Sequence, residues 1–344
     1  MEKKFMVKYV NPSLTHAERK SAATYQKSDS IDSFCVAKAL LSKFDTLHDA
    51  QPSDLHWILA DLVGKRRLLV KHSTATKNQL HVYLGHNYTN YRRFFSGFDG
   101  KAALSFWERY PSPSAIKDTT IENLTEFLWE KSHHFYTINK AVEIMDYIDK
   151  DGYEDLPFQE EKDSIITLTV KQLKANQELI SGIEEEIKKV LPQFGYKLES
   201  MYGLGAINAA ELVAEIGDIN RFPNADTLAC YAGISPIRYS SGQTDKHFSN
   251  KMGNKNLRQT LFNISITLLT DPHKKGIPKN QYFFDYYNKK ISEGKTTKQA
   301  LRCIMRKLTN IIYKMMRDKS EYREPPRKSP EENLAHKPTK NKKK

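Results

Sequence analysis

A chain of 344 residues can bury one large core or two smaller ones, and a formal net charge of +13 spread along its length favours a polyanionic partner, nucleic acid ahead of acidic lipid. No long uninterrupted apolar run occurs and the first residues carry charge without a signal-peptide core, so a cytoplasmic protein with no membrane partner is expected. Cys35, Cys230 and Cys303 are far apart and lack metal-ligand spacing, which reads as buried small hydrophobes without chemistry.

In chain order, Phe5 to Val10 is a short β-prone run stopped by Asn11-Pro12, and Ile31 to Leu41 carries apolar residues at helical spacing. Between them, Lys27-Ser28-Asp29-Ser30-Ile31-Asp32 sets two carboxylates three residues apart at a predicted helix start, hence on one face. Two such acids can share a divalent metal, since hard Mg²⁺ ions need oxygen ligands; they serve equally as a helix cap and a favourable charge at the helix's positive end. From Asp54 to Leu84, Leu55, Leu59, Leu62, Leu69, Leu80 and Leu84 alternate with Lys65, Arg66, Arg67, Lys71, His72 and Lys77, which predicts long basic amphipathic helices. The region 101–151 is mixed and helical, broken at Tyr110-Pro111-Ser112-Pro113, with a capped helix start at Thr120.

Ile166, Thr169, Leu173, Asn176, Ile180, Ile183, Ile187 and Val190 recur at alternating three- and four-residue spacing, a coiled-coil seam with Asn176 on it. A helical dimer contact and packing within one chain both explain that pattern. Leu191-Pro192 ends the helix, and a glycine hairpin follows at Gly203-Leu204-Gly205, able to present bare backbone N–H groups to phosphate or simply to turn one helix into the next. Then come Tyr231-Ala232-Gly233-Ile234-Ser235-Pro236, Tyr239-Ser240-Ser241-Gly242, and Gly253-Asn254-Lys255-Asn256-Leu257-Arg258, with a further helix from about 298 to 316. Lys246, His247, Lys251, Lys255 and Arg258 form a basic cluster suited to neutralising phosphate. The tail after Arg317 is rich in Lys, Glu and Pro and reads as disordered.

That succession resembles the C-terminal transposase domain of the insertion-sequence 110 family, the bridge-RNA-guided DNA recombinases. Asn11-Pro12, Lys27, Asp29, Asp32 and Ala37-Lys38-Ala39-Leu40 are also similar to that family's acidic motif, with Ser33 where Ala is usual, and the likeness extends over Arg66-Arg67-Leu68, Lys77-Asn78, Leu80-His81 and Tyr110 to Pro113. The resemblance implies a RuvC-like nuclease part with an Asp-Glu-Asp-Asp set, of which Asp29 and Asp32 are the third and fourth acids and metal ligands for Mg²⁺. It implies that Ser241 is the nucleophile toward DNA phosphate. It further implies DNA and a structured noncoding bridge RNA as partners, with Arg66, Arg67, Lys71 and Lys77 facing the RNA, Gly203, Gly205, Lys246, Lys251, Lys255 and Arg258 binding nucleic acid, and a homo-oligomeric assembly, dimer or tetramer. The family's first Asp and its Glu have no matching strands here, so the chain resembles an N-terminally truncated copy.

The expected architecture is mainly α with a small α/β part: a truncated RuvC/RNase H-like part with basic helices over 1–157, a long helix or coiled-coil connector over 158–193, an α-rich transposase domain with a helix-hairpin-helix-like element over 194–316, and a disordered basic tail over 317–344. Three functions compete. They are serine-mediated transposition and site-specific recombination, a catalytically defective nucleic-acid-binding remnant, and a Holliday-junction-type endonuclease using water.

Overall fold

The computed structural model describes residues 7–10, 12–21, 28–47, 54–235, 237–241, 244–248, 253–270 and 277–324. Its elements are α1 (Pro12–Ser21), α2 (Asp29–Lys43), α3 (Asp54–Asn87), α4 (Tyr91–Phe94), α5 (Lys101–Arg109), α6 (Pro113–Ile116), α7 (Ile121–Lys131), α8 (Ile138–Asp151), α9 (Gln159–Val190), α10 (Ala206–Ile216), α11 (Ala225–Tyr231), β1 (Ile237–Ser241), β2 (Thr244–Phe248), α12 (Lys255–Leu269), α13 (Gln281–Ser292) and α14 (Thr297–Asp318). The protein is mainly α, and β1 and β2 are the only strands among the described residues. Of the expected strand at Phe5 to Val10, positions 5 and 6 lie outside the described residues and 7–10 form no strand element. No helix among the described residues is long and apolar enough to cross a membrane.

The chain divides into two compact units, one drawn from 1–60 and 190–344 and the other spanning Asp61–Lys189. In the second unit, α3 and α9 run antiparallel. Arg66 Nε donates to Glu184 Oε1 at 2.7 Å near one end, and Asn87 Nδ2 donates to Asp163 Oδ1 at 3.1 Å near the other. The same number of residues separates the two cross-links on each helix, so the pair stays in step over about 30 Å. Between them sits a head of shorter helices around an aromatic core: Tyr88, Phe94, Phe106 and Trp107 are fully buried and packed ring against ring, closed by Leu80 and Leu84 of α3 and Ile166, Val170 and Leu173 of α9. Two polar tips within this core are satisfied, Trp107 Nε1 donating to the Phe98 carbonyl at 3.0 Å and Tyr88 Oη to the Tyr110 carbonyl at 2.9 Å, while the buried Tyr110 hydroxyl has no hydrogen-bond partner. Burial pushes the Tyr88 phenol well above its ordinary range. Acidic residues outnumber basic ones in this head, against the basic balance of the whole chain.

Several helix starts are set by side-chain caps. Thr120 Oγ1 accepts from Asn123 N at 3.3 Å ahead of α7, as its position in the sequence predicts, and Thr296 with Gln299 forms a reciprocal capping box ahead of α14. The break at Tyr110 to Pro113 separates α5 from α6 and is pinned by Ser112 Oγ donating to Asp163 Oδ2 at 2.6 Å. The seam on α9 divides in two. Ile166, Thr169 and Leu173 are buried within the unit, while Asn176 is half-buried with its Nδ2 lacking a hydrogen-bond partner.

In the first unit, α11, α12 and α13 pack on α14, whose Ala300, Ile304, Leu308 and Ile312 recur at helical spacing toward the core, and α10 packs on α12. α1 packs on α2 through Cys35 and Ala39. Cys35 is buried as expected, but Cys230 is exposed and Cys303 half-buried. On α11 the core takes Leu228 and Ala229, leaving the next position on the outer face. The tail from 325 onward lies outside the described residues.

Replacing Trp107 with Ala removes the ring that touches Tyr88, Tyr91, Phe94, Phe95 and Phe106. We expect a loss of about 3–5 kcal/mol in unfolding free energy, measured by chemical denaturation followed in the near-UV circular dichroism.

Candidate active site

Asp29 and Asp32 open α2, whose N-cap Ser28 accepts from Ile31 N at 3.3 Å through its hydroxyl. They share the first turn, as their spacing predicts. Asp29 is exposed, and Asp32 is paired with Arg19 of α1 in a half-exposed contact, beside a second link between Lys38 and Glu18 at 3.1 Å. A pair so open to water stabilises by about 1 kcal/mol at most, little enough for a divalent cation to displace Arg19. Two carboxylates on one turn fit as two oxygen ligands of a hard divalent ion. No group of three or more His, Cys, Asp or Glu able to hold a metal occurs among the described residues.

Ser241 ends β1. The antiparallel register pairs Ile237 with Phe248, Arg238 with His247, Tyr239 with Lys246, Ser240 with Asp245 and Ser241 with Thr244, so only Gly242 and Gln243 separate the strands. Those two residues, like Lys27, Pro236 and Lys251, lie outside the described residues. Ser241 therefore sits at the tip of a ribbon, where sequence reading expects a polar turn. The hairpin went unforeseen, although β-compatible residues on both sides of a Gly-containing pair were the available signal.

The root of the ribbon is built largely from residues of the two flanking motifs, to which the sequence assigned no contact with one another. Gly253, with φ +107°, has no room for a side chain: a Cβ there would lie 2.6 Å from the Tyr231 carbonyl oxygen and 2.7 Å from Gly233 N. The chain entering the hairpin and the chain leaving it therefore touch backbone to backbone. Asn254 N donates to Tyr231 O at 2.7 Å. Its side chain accepts from Leu257 N at 2.9 Å, capping α12, and its Nδ2 donates to Glu215 Oε2 at 2.8 Å and to Tyr231 Oη at 3.2 Å. Arg221 covers the Tyr231 and Phe222 rings, its guanidinium 4.6 Å from each centroid. On the entering side Arg306 of α14 pairs with Asp226 and donates to Ser235 Oγ at 3.4 Å. Lys255 is exposed at the start of α12 and Arg258 half-buried one turn later.

The two glycines of the upstream turn differ. Gly203 takes φ +97° with Leu268 Cδ2 3.0 Å from where its Cβ would stand, whereas Gly205 has an ordinary backbone, open space and the N-cap position of α10. In the other unit, Arg66 pairs with Glu184, Lys77 with Asp99 at 2.5 Å, and Lys71 is exposed. Two of the four cations expected to face RNA are thus engaged with carboxylates of their own unit.

A two-stranded ribbon with a serine at its tip thus stands on a helical root that carries cations at the start of the next helix. Residues 195–277 match the family model described as "Transposase IS116/IS110/IS902 family", and residues 1–88 match a DEDD-type model described as "Transposase". The insertion element IS110 uncharacterized 43.6 kDa protein of Streptomyces coelicolor is 27% identical over 303 residues, covering 86% of this chain and 72% of that relative. The insertion element IS116 uncharacterized 44.8 kDa protein of Streptomyces clavuligerus is 26% identical over 298 residues, covering 85% and 72%. A pilin gene-inverting protein of Moraxella bovis is 32% identical over 125 residues, covering 35% of this chain and 36% of its own. The chain belongs to the IS110/IS116 family of transposases, enzymes of DNA transposition and site-specific recombination.

The contrast between glycines is measurable. Gly253→Ala, strained in conformation and blocked by backbone, should lower stability by roughly 1–3 kcal/mol, while Gly205→Ala should stay within about 0.5 kcal/mol of the wild type, both read from thermal unfolding.

Proposed function

We propose that Ser241 attacks a DNA phosphodiester and links the protein covalently to one strand. A P–Oγ bond forms as a bridging P–O bond of the strand breaks; the hydroxyl proton is given up and the departing DNA oxygen takes one on. One phosphodiester replaces another, so the reverse step rejoins strands without an external energy source. The observation that carries the reading is the position of Ser241 at the tip of a two-stranded ribbon with a braced root, inside the stretch matched by the transposase model. A nucleophile there reaches a backbone phosphate without carrying the bulk of the helices with it. Lys246, Lys251, Lys255 and Arg258 supply positive charge for DNA phosphates, and Gly203 and Gly205 add backbone contacts to nucleic acid.

Asp29 and Asp32 act as two of the ligands of a Mg²⁺ site in a RuvC-like part. A bound Mg²⁺ supplies charge stabilisation at the oxygens of the displaced strand. The working division is a RuvC-like part over 1–157, a connector over 158–193 and the serine-bearing domain over 194–316. The protein acts in the cytoplasm on DNA, guided by a bridge RNA that meets Arg66, Arg67, Lys71 and Lys77. It assembles as a homo-oligomer, a role supported by the exposed Ile165, Leu168 and Leu179 on α9.

A second reading, nucleic-acid binding without catalysis, is favoured by one observation: Asp32 is held by Arg19 and no third acid joins the pair among the described residues. The two readings separate in one assay, with a plasmid carrying the encoding gene and its flanking DNA, Mg²⁺, and protein copurified with its RNA. Serine transposition requires protein–DNA adducts that survive denaturation. Ser241→Ala should abolish them while leaving DNA affinity within about threefold, and Asp32→Asn should lower them by at least about 100-fold. Binding without adducts selects the second reading, and nicking indifferent to Ser241→Ala selects a water-using endonuclease.

A further inference from the structure

We propose that Asn254 is a positioning residue for the serine ribbon, tying its root to α10 through Glu215 and to α11 through Tyr231. The inference rests on Ser241 as the nucleophile. The ribbon leaves the helical body after Ser235 and returns at Gly253, so whatever fixes these two points fixes where the tip points. Backbone contact at Gly253 and Gly233 sets the spacing of the two legs, but a contact between two chains still allows them to swing together as a hinge. The Asn254 amide removes that freedom. Its oxygen is committed to Leu257 N and its nitrogen to Glu215 Oε2 and Tyr231 Oη, so one planar group is fixed from three helices. Tyr231 is braced in turn, its ring under Arg221 and its hydroxyl 3.5 Å from the Glu215 carbonyl oxygen. An amide satisfies this site because it accepts on one side and donates on the other.

This division of labour separates helix capping from ribbon anchoring. Asn254→Asp keeps an acceptor for Leu257 N, and Asp caps a helix as well as Asn does. It removes the donor and sets a carboxylate against that of Glu215. Paired with Glu215→Gln, the polarity of the bond reverses, because the new amide at 215 can donate to the new carboxylate at 254.

Three full-length proteins carrying Asn254→Asp, Glu215→Gln, or both are compared with the wild type and Ser241→Ala. The readouts are denaturation-resistant adducts on the plasmid substrate, DNA affinity, and amide hydrogen exchange over 237–248. Asn254→Asp should slow adduct formation by about 100-fold, the loss expected for a nucleophile misplaced by about 1 Å, with DNA affinity changed less than about threefold and exchange in β1 and β2 accelerated. The double variant should recover adduct formation to within about tenfold of wild type and slow the exchange again. Wild-type adduct rates and exchange in Asn254→Asp overturn the proposal. So does a loss in Asn254→Asp that the double variant fails to restore. If Ser241→Ala still forms adducts, or the wild type forms none, the nucleophile reading falls, and the exchange data alone then decide whether Asn254 anchors the ribbon.

Discussion

The close approach of Gly253 to Tyr231 and Gly233 is the constraint on which the root of the serine ribbon depends. Two lengths of backbone meet at a separation that excludes any Cβ, and only then can Asn254 reach across to α10 and α11 while it caps α12. α11, the ribbon and α12 become one continuous device: a helix that ends, a pair of strands that leaves and returns, and a helix that starts at the point of return. Arg306 extends the brace to α14, on which α11, α12 and α13 pack.

Much of the helical framework was legible in the sequence, because periodicity and caps are local. The α2 region, the Thr120 cap, the break at Tyr110 to Pro113 and the length of α9 all follow from residues within a few positions of each other. What escaped was non-local. Arg66 and Lys77 read as free cations on a basic helix, yet their carboxylates come from Glu184 and Asp99, which no spacing rule connects to α3. The ribbon escaped because charged and hydroxyl residues dominate Arg238 to His247, and a segment of that composition carries no apolar alternation to announce a strand.

Of the candidate site, the serine and the two acids were singled out by motif; Tyr231 and Asn254 stood in quoted motifs without a role, and Glu215 and Arg306 had none. Such supporting residues are drawn from four separate helices and look, one at a time, like ordinary caps and surface side chains. Their grouping is a property of the fold. The same holds for Asp163, which gathers Asn87, Ser112 and Gln159 and so joins α9 to the ends of two elements far away in the chain.

The ribbon also behaves as a lever arm. Five residues of strand span about 17 Å from root to tip, so a swing of about 5° at the base displaces the tip by about 1.5 Å, roughly half the gap between a nucleophile and the atom it attacks. A long arm gives reach and multiplies every angular error made at its fulcrum. Substitutions on the helices of the root, many residues from Ser241, thereby act as adjustments of where the tip stands.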